Sequence, residues 1–326
     1  MGGAASLKSS EATTYYLSET FMGGVSVEIS NTQAKEIYAA RQLTLAFLEV
    51  EELYSLVAGS FYEFEEFMIG ESLRDLTGFY VEQDNFAINM RLDTVRETLN
   101  LKLLNILTAY RTYCDHCPQR LQKAEELFPD ALRIHKETKS DAFDERLEFR
   151  IFDALRNYAQ HASLPISNVT FSLSRQRALD EPNFRIRNTV EPTLDARKLQ
   201  LDKSIRPKTR SEIEHLDVKY LSTKAIVRGF ISSLGKSRDR FNNASKSALE
   251  NSKQVFEEAY GFVRDAKGAE AKFVSLVSED GTTITLKQEL PDLVMQRRLR
   301  WRRLTAITDH YASSDISKSA DTFNGY

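Results

Sequence analysis

Cysteine is scarce in this 326-residue chain, with only Cys114 and Cys117. Two cysteines three apart cannot supply a disulfide framework, so a reducing, cytoplasmic setting is expected. Glycine (13) and proline (7) are also few, which suits long helices better than a many-turned β sandwich. No apolar run is long enough to span a bilayer. The nearest, residues 43–67, is interrupted by Glu49, Glu51, Glu52, Glu63, Glu65 and Glu66. An excess of positive charge is lacking too: the formal net charge is −3, so any grip on nucleic acid must come from a local patch. P-loop, dinucleotide-fingerprint, nucleophile-elbow, zincin and EF-hand patterns are absent. No metal or cofactor is therefore expected. The opening residues, MGGAAS, lack a secretory leader's charged start and apolar run, but they fit the loose myristoylation pattern.

What is present is an ordinary globular balance, 41% hydrophobic and 28% charged, with helical periodicity over most of the length. Residues 1–30 read as a flexible segment, with short strand-like stretches around Tyr15 and Val27. Asn31 or Thr32 is placed to cap an amphipathic run to about Ile69, broken by Gly70 and Gly78. Further runs are expected over about 89–116, 140–162 and 209–265. Pro165 stops the third. Between the third and fourth, alternating residues around 167–190 predict a β-hairpin. A second hairpin is predicted about Asp280 and Gly281, then a basic helix over 290–311 and a loose tail. The expected fold is mainly α: a four-helix bundle over 31–265 with an inserted β-hairpin, and a small α+β part over 266–326.

One stretch of the third run combines chemistry-bearing residues: Arg156, Asn157, Tyr158, Ala159, Gln160 and His161. Asn157 and His161 are four apart and share a helix face, and Arg156 is offset but long enough to reach toward it. A neutral histidine can accept the proton of an RNA 2′-hydroxyl. An arginine can neutralise the charge building on the phosphate through paired N–H donors. No metal is required for that reaction. Arg-to-His spacing of five is not selective by itself, because His116 and His215 also follow an arginine, Arg111 and Arg210, at that distance. Context distinguishes the 156–161 copy: Asn157 comes second, the helix is apolar, and Pro165 follows.

On these residues the chain resembles the HEPN superfamily of helical nucleotide-binding and RNase proteins, whose motif is Arg-x4–6-His, often with a polar residue after the arginine. Arg156, Asn157 and His161 match that motif, and the resemblance extends over about 33–166. It implies a HEPN-like bundle, a metal-independent endoribonuclease that is a toxin or an anti-phage effector, and a site assembled across a homodimer. RNA and a protein from the same operon are the implied partners. The competing reading is a non-catalytic helical interaction module in which the motif is a buried polar brace.

Supporting residues are expected on the second run, where Asn105, Thr108, Thr112 and Asp115 form a polar stripe and Arg111 and His116 adjoin it. Such a stripe lines a site or faces water. In the basic helix, Arg297, Arg298 and Arg302 are candidates for RNA phosphates, with Trp301 available for stacking. The alternative partners for those arginines are the glutamates of 49–66. Cys114, His116 and Cys117 lack the second ligand pair that a zinc site needs.

Overall fold

The computed structural model describes residues 13–19, 24–77, 85–177, 184–303 and 316–319. Among these, helix predominates. In chain order the elements are β1 (Tyr15–Glu19), β2 (Ser26–Ile29), α1 (Asn31–Leu76), α2 (Asn85–Gln122), α3 (Ala131–Glu145), α4 (Leu147–His161), β3 (Ile166–Arg177), β4 (Phe184–Asp195), α5 (Ala196–Leu201), α6 (Pro207–His215), β5 (Tyr220–Ser222), α7 (Thr223–Ala244), α8 (Lys246–Lys267), β6 (Val274–Ser278), β7 (Thr283–Leu286), α9 (Leu290–Arg300) and β8 (Ile316–Ser319). They fall into two compact units. The first holds residues up to Leu53, Cys114–Thr138 and Arg238–Trp301; the second holds Tyr54–Tyr113, Lys139–Ser237 and Arg302 onward.

In the first unit a four-stranded antiparallel sheet has the order β2-β1-β6-β7. Tyr15 and Leu17 on β1 and Val274 and Leu276 on β6 are buried against Phe256, Ala259, Tyr260 and Val263 of α8. The β6–β7 turn is the predicted one: Gly281 takes φ +83°, and its N–H donates to the Ser278 carbonyl at 2.9 Å. That left-handed geometry favours glycine. The described part of residues 1–30 therefore departs from a flexible segment. Its strands complete a sheet with residues 274–286, which also crosses the boundary expected at 266. Strand pairing across such a sequence distance leaves no local signature.

Helix α1 begins on a capping box, a Ser-x-x-Gln pattern. The Ser30 hydroxyl accepts from the Gln33 N–H at 3.2 Å, and the Gln33 side chain accepts from the Ser30 N–H at 2.9 Å. Ser30 thus replaces Asn31 and Thr32 as the cap. The helix continues through Gly70, because one glycine costs only about 1 kcal/mol in a long packed helix. Gly78, the opening MGGAAS pattern and residues 304–311 of the expected basic helix lie outside the described residues.

The second unit contains the motif. The expected third run is two helices, α3 and α4, split at Arg146, which is extended (φ −127°, ψ 124°). Arg150 stabilises the break. Its buried guanidinium donates to the carbonyls of Phe143 and Asp144, each at 2.8 Å, and pairs bidentately with Glu212 at 2.9 and 3.0 Å. Carbonyls left over at the end of α3 thereby find donors. The expected fourth run is likewise divided, into α6, β5, α7 and α8. A bundle of four long runs is thus replaced by a larger set of helices. The inserted hairpin β3–β4 is present, paired from Ile166↔Leu194 to Arg177↔Phe184, and β5 and β8 also pair with β4.

Phe149, Phe152 and Leu155 bury the apolar face of α4. Phe152 stacks on Phe230 of α7 with ring centroids 3.8 Å apart, and Tyr110 of α2 meets Phe230 edge-on at 4.8 Å. Each such aromatic contributes about 1.5–3 kcal/mol by burial. Gly229 permits the close approach of α7: a Cβ there would lie 2.8 Å from Cβ of Glu148. These contacts fix which side of α4 faces outward.

Candidate functional site

Helix α4 ends at His161. The N–H groups of Ala162 and Ser163 both turn back to the Tyr158 carbonyl, at 2.9 and 3.3 Å. Pro165 is buried just beyond, as its stopping role predicts. The chain is then clamped by Asn100 of α2. Its buried side chain accepts from the Ile166 N–H at 2.9 Å and donates to the Ile166 carbonyl at 3.0 Å. A paired amide clamp of this kind mimics a strand partner and leaves neither backbone group unsatisfied. Sequence reasoning did not single out Asn100. Its partner lies 66 residues away, and an asparagine inside a helix carries no local signal.

Within this frame His161 is exposed, Asn157 is half-buried, and Arg156 is half-buried. Arg156 lines an open groove of about 130 Å³ with Leu104, Leu107, Thr108 and Arg111 of α2 and Ala159 and Gln160 of α4. Its Nε is buried without a hydrogen-bond partner. Among the described residues no carboxylate pairs with its guanidinium. Leu107 is buried and Leu104 and Ala159 are half-buried, which gives the groove an apolar floor. Thr108, Arg111 and Gln160 are exposed at its edge. Two arginines, Arg111 and Arg156, thus line one groove, and His161 follows Gln160 at the same helix end.

Of the supporting residues expected on α2, Arg111 and Thr108 share the groove with Arg156. Asn105, Asp115 and His116 are exposed and do not line it. The polar stripe largely faces water: Asn105, Thr108 and Asp115 are exposed and Thr112 is half-buried, its hydroxyl turned back to the Thr108 carbonyl at 3.0 Å. On α6 Arg210 is half-buried and His215 is exposed, and the His215 Nδ1–H donates to its own helix at the Ser211 carbonyl.

The basic helix corrects an expectation. Arg298 is turned inward: it donates to the Ser245 hydroxyl at 2.9 Å and the Asn242 carbonyl at 3.3 Å, and lies over the Phe47 ring at 5.0 Å. Burial depresses its pKa to about 10, against the raising effect of Glu51. Glu51 also pairs with Arg238, which in turn donates to the carbonyls of Arg297 and Arg298 at 3.3 and 2.9 Å. Arg298 therefore fits a structural ion cluster rather than a phosphate contact. Arg297 and Trp301 are half-buried, and the Trp301 ring lies 5.0 Å from the guanidinium carbon of Arg300. Arg302 is exposed.

Among the described residues no group of three or more His, Cys, Asp or Glu is placed to hold a metal ion. Cys117 is buried inside α2, with its Sγ 3.8 Å from Nδ1 of His135, and Cys114 is half-buried. No described helix is long and apolar enough to cross a membrane. Comparisons with family models, curated proteins and solved structures return no match.

Proposed function

We propose that this chain is a metal-independent endoribonuclease of the HEPN type, acting at the C-terminal end of α4, in the setting of a toxin or an anti-phage effector. One observation carries the reading. The Arg-Asn-x3-His residues lie at an outward-facing helix end, with His161 exposed and Arg156 lining a groove without a carboxylate partner. A half-buried guanidinium of this kind is suited to an anion that arrives from solution.

In the proposed reaction, neutral His161 removes the proton from a 2′-hydroxyl. The 2′-oxygen bonds to phosphorus as the bond from phosphorus to the 5′-oxygen breaks. Arg156 neutralises the charge on the non-bridging oxygens, and Asn157 orients the reacting groups. The departing 5′-oxygen takes a proton from an imidazolium, which in a homodimer is the partner subunit's His161. The products are a 2′,3′-cyclic phosphate and a 5′-hydroxyl. The brace reading requires His161 to be buried against the core, and its exposure argues against that.

The test is cleavage of RNA by the purified chain in the presence of a chelator. Arg156→Ala and His161→Ala are expected to remove cleavage while preserving helicity, and a 2′-deoxy substrate is expected to be inert. Absence of cleavage by the wild-type chain, alone and with its operon partner, would overturn the proposal.

A further inference from the structure

The chain's net charge is −3, yet residues 197–210 hold six cations, Arg197, Lys198, Lys203, Arg206, Lys208 and Arg210, against one acid, Asp202. Five of the six are exposed and Arg210 is half-buried. Ala196 and Leu199 of α5 and Thr209 and Ile213 of α6 are buried, so the charges lie outside this small core. Among the described residues none of the six pairs with a carboxylate. Cations elsewhere are commonly paired: Arg133 with Asp130 and Glu137, Lys102 with Glu63, Lys253 with Asp292. The one acid is turned to backbone, where the Asp202 carboxylate accepts from the Ser204 N–H at 2.7 Å. Arg206 and Arg210 are four apart on α6, a spacing at which like charges repel. The N-terminus of α6, which no side chain caps, adds its own partial positive charge. A bound polyanion offsets an unneutralised field of this kind.

The surface also narrows the class of polyanion. Of the large apolar side chains in 197–210 only Leu201 is exposed. That is too little to enter a membrane, which a basic helix does through a whole apolar face. A phosphodiester backbone needs no such face, because spaced lysines and arginines bind its phosphates directly. Arg150 of α4 pairs with Glu212 of α6 at 2.9 and 3.0 Å, which fixes this surface to the helix that ends in the motif. We infer that the outer surface of α5 and α6 is a docking site for the phosphate backbone of RNA. The inference rests on the ribonuclease reading for the identity of the polyanion, and adds to it the place where the substrate is held.

The test measures binding of oligo-U to the full chain carrying His161→Ala, so that RNA stays intact, over a series of salt concentrations. Lys198→Gln, Lys203→Gln and Lys208→Gln together remove three exposed charges. They are expected to flatten the salt slope by about 2, at about 0.7 per lost phosphate contact, and to weaken binding roughly hundredfold at about 0.1 M salt. Each single replacement should flatten it by about 0.7, which serves if the triple variant does not fold. Arginine at the same three positions should preserve binding. Glutamine at Arg133, Lys246 and Lys253 removes the same charge from paired positions and should leave the slope unchanged. With His161 restored, the triple lysine variant should raise KM for cleavage and change kcat little. Unchanged binding and slope in the lysine variants would overturn the docking site. So would an equal loss in the paired-position control, or tighter binding to phosphatidylserine vesicles than to RNA. If RNA is still cut through Arg156 and His161, the ribonuclease reading survives those results. If the wild-type chain neither binds nor cuts RNA, both readings fall together.

Discussion

Replacing Glu51 by glutamine is expected to be among the most destabilising single changes in the first unit. Glu51 is 2% exposed and is shared between Arg238, whose side chain is 3% exposed, and Arg298. Arg238 donates to it through Nε at 3.0 Å and through Nη2, and Nε of Arg298 lies 3.8 Å from its other oxygen. Glutamine keeps the shape but removes the negative charge that both guanidinium groups face, leaving them against a neutral amide. Breaking a buried pair from one side costs about 3–5 kcal/mol. For a 326-residue chain unfolding in one step, that corresponds to a fall in Tm of about 4–7 °C. Denaturant melts followed by circular dichroism measure it. A second comparison isolates the cause. Glu51→Met with Arg238→Met should cost much less than Glu51→Gln, because well-packed apolar replacements of buried pairs are often near neutral. A loss below about 1 kcal/mol for Glu51→Gln would refute the claim that this carboxylate balances the cluster.

Other substitutions test separate links. Arg298→Met should lower stability yet leave the salt dependence of RNA binding unchanged, whereas a phosphate contact would flatten the slope by about 0.7 on single strands. Gly229→Ala forces a Cβ to 2.8 Å from Cβ of Glu148, and a loss of about 1–3 kcal/mol in denaturant titrations is expected. Asn100→Ala leaves the backbone of Ile166 without its buried partners, and should cost about 1–3 kcal/mol and loosen amide-exchange protection just after α4. His161→Ala, at an exposed helix end, should change stability by less than about 0.5 kcal/mol; a larger loss would revive the brace reading.

Local signals carried much of the fold. The end of α4 before Pro165 and the turn at Gly281 rest on neighbours in sequence, where propensity and side-chain reach decide the outcome, whereas the cap of α1 falls on Ser30 and not on the expected Asn31 or Thr32. The break at Arg146 was not legible, because apolar spacing continues across it and the compensating donors come from Arg150 and its pair with Glu212, 62 residues on. The inward turn of Arg298 was equally hidden. Alternation on a short helix says that some arginines flank an apolar stripe, not which one meets a glutamate of α1. At the site, helical spacing grouped Asn157 with His161, but the groove beside Arg156 depends on which face of α2 packs against α4. Tyr110, Phe152 and Phe230 set that packing, and so Leu104, Leu107, Ala159 and Gln160 emerge only in three dimensions.

The most direct measurement is an RNA cleavage assay on the purified chain in chelator, with products resolved by their ends. Cleavage should yield 2′,3′-cyclic phosphate and 5′-hydroxyl ends, disappear in Arg156→Ala and His161→Ala, and fail on 2′-deoxy substrate. Undiminished cleavage in both variants, or no cleavage by the wild-type chain with its partner present, would contradict the assignment of the site to the end of α4.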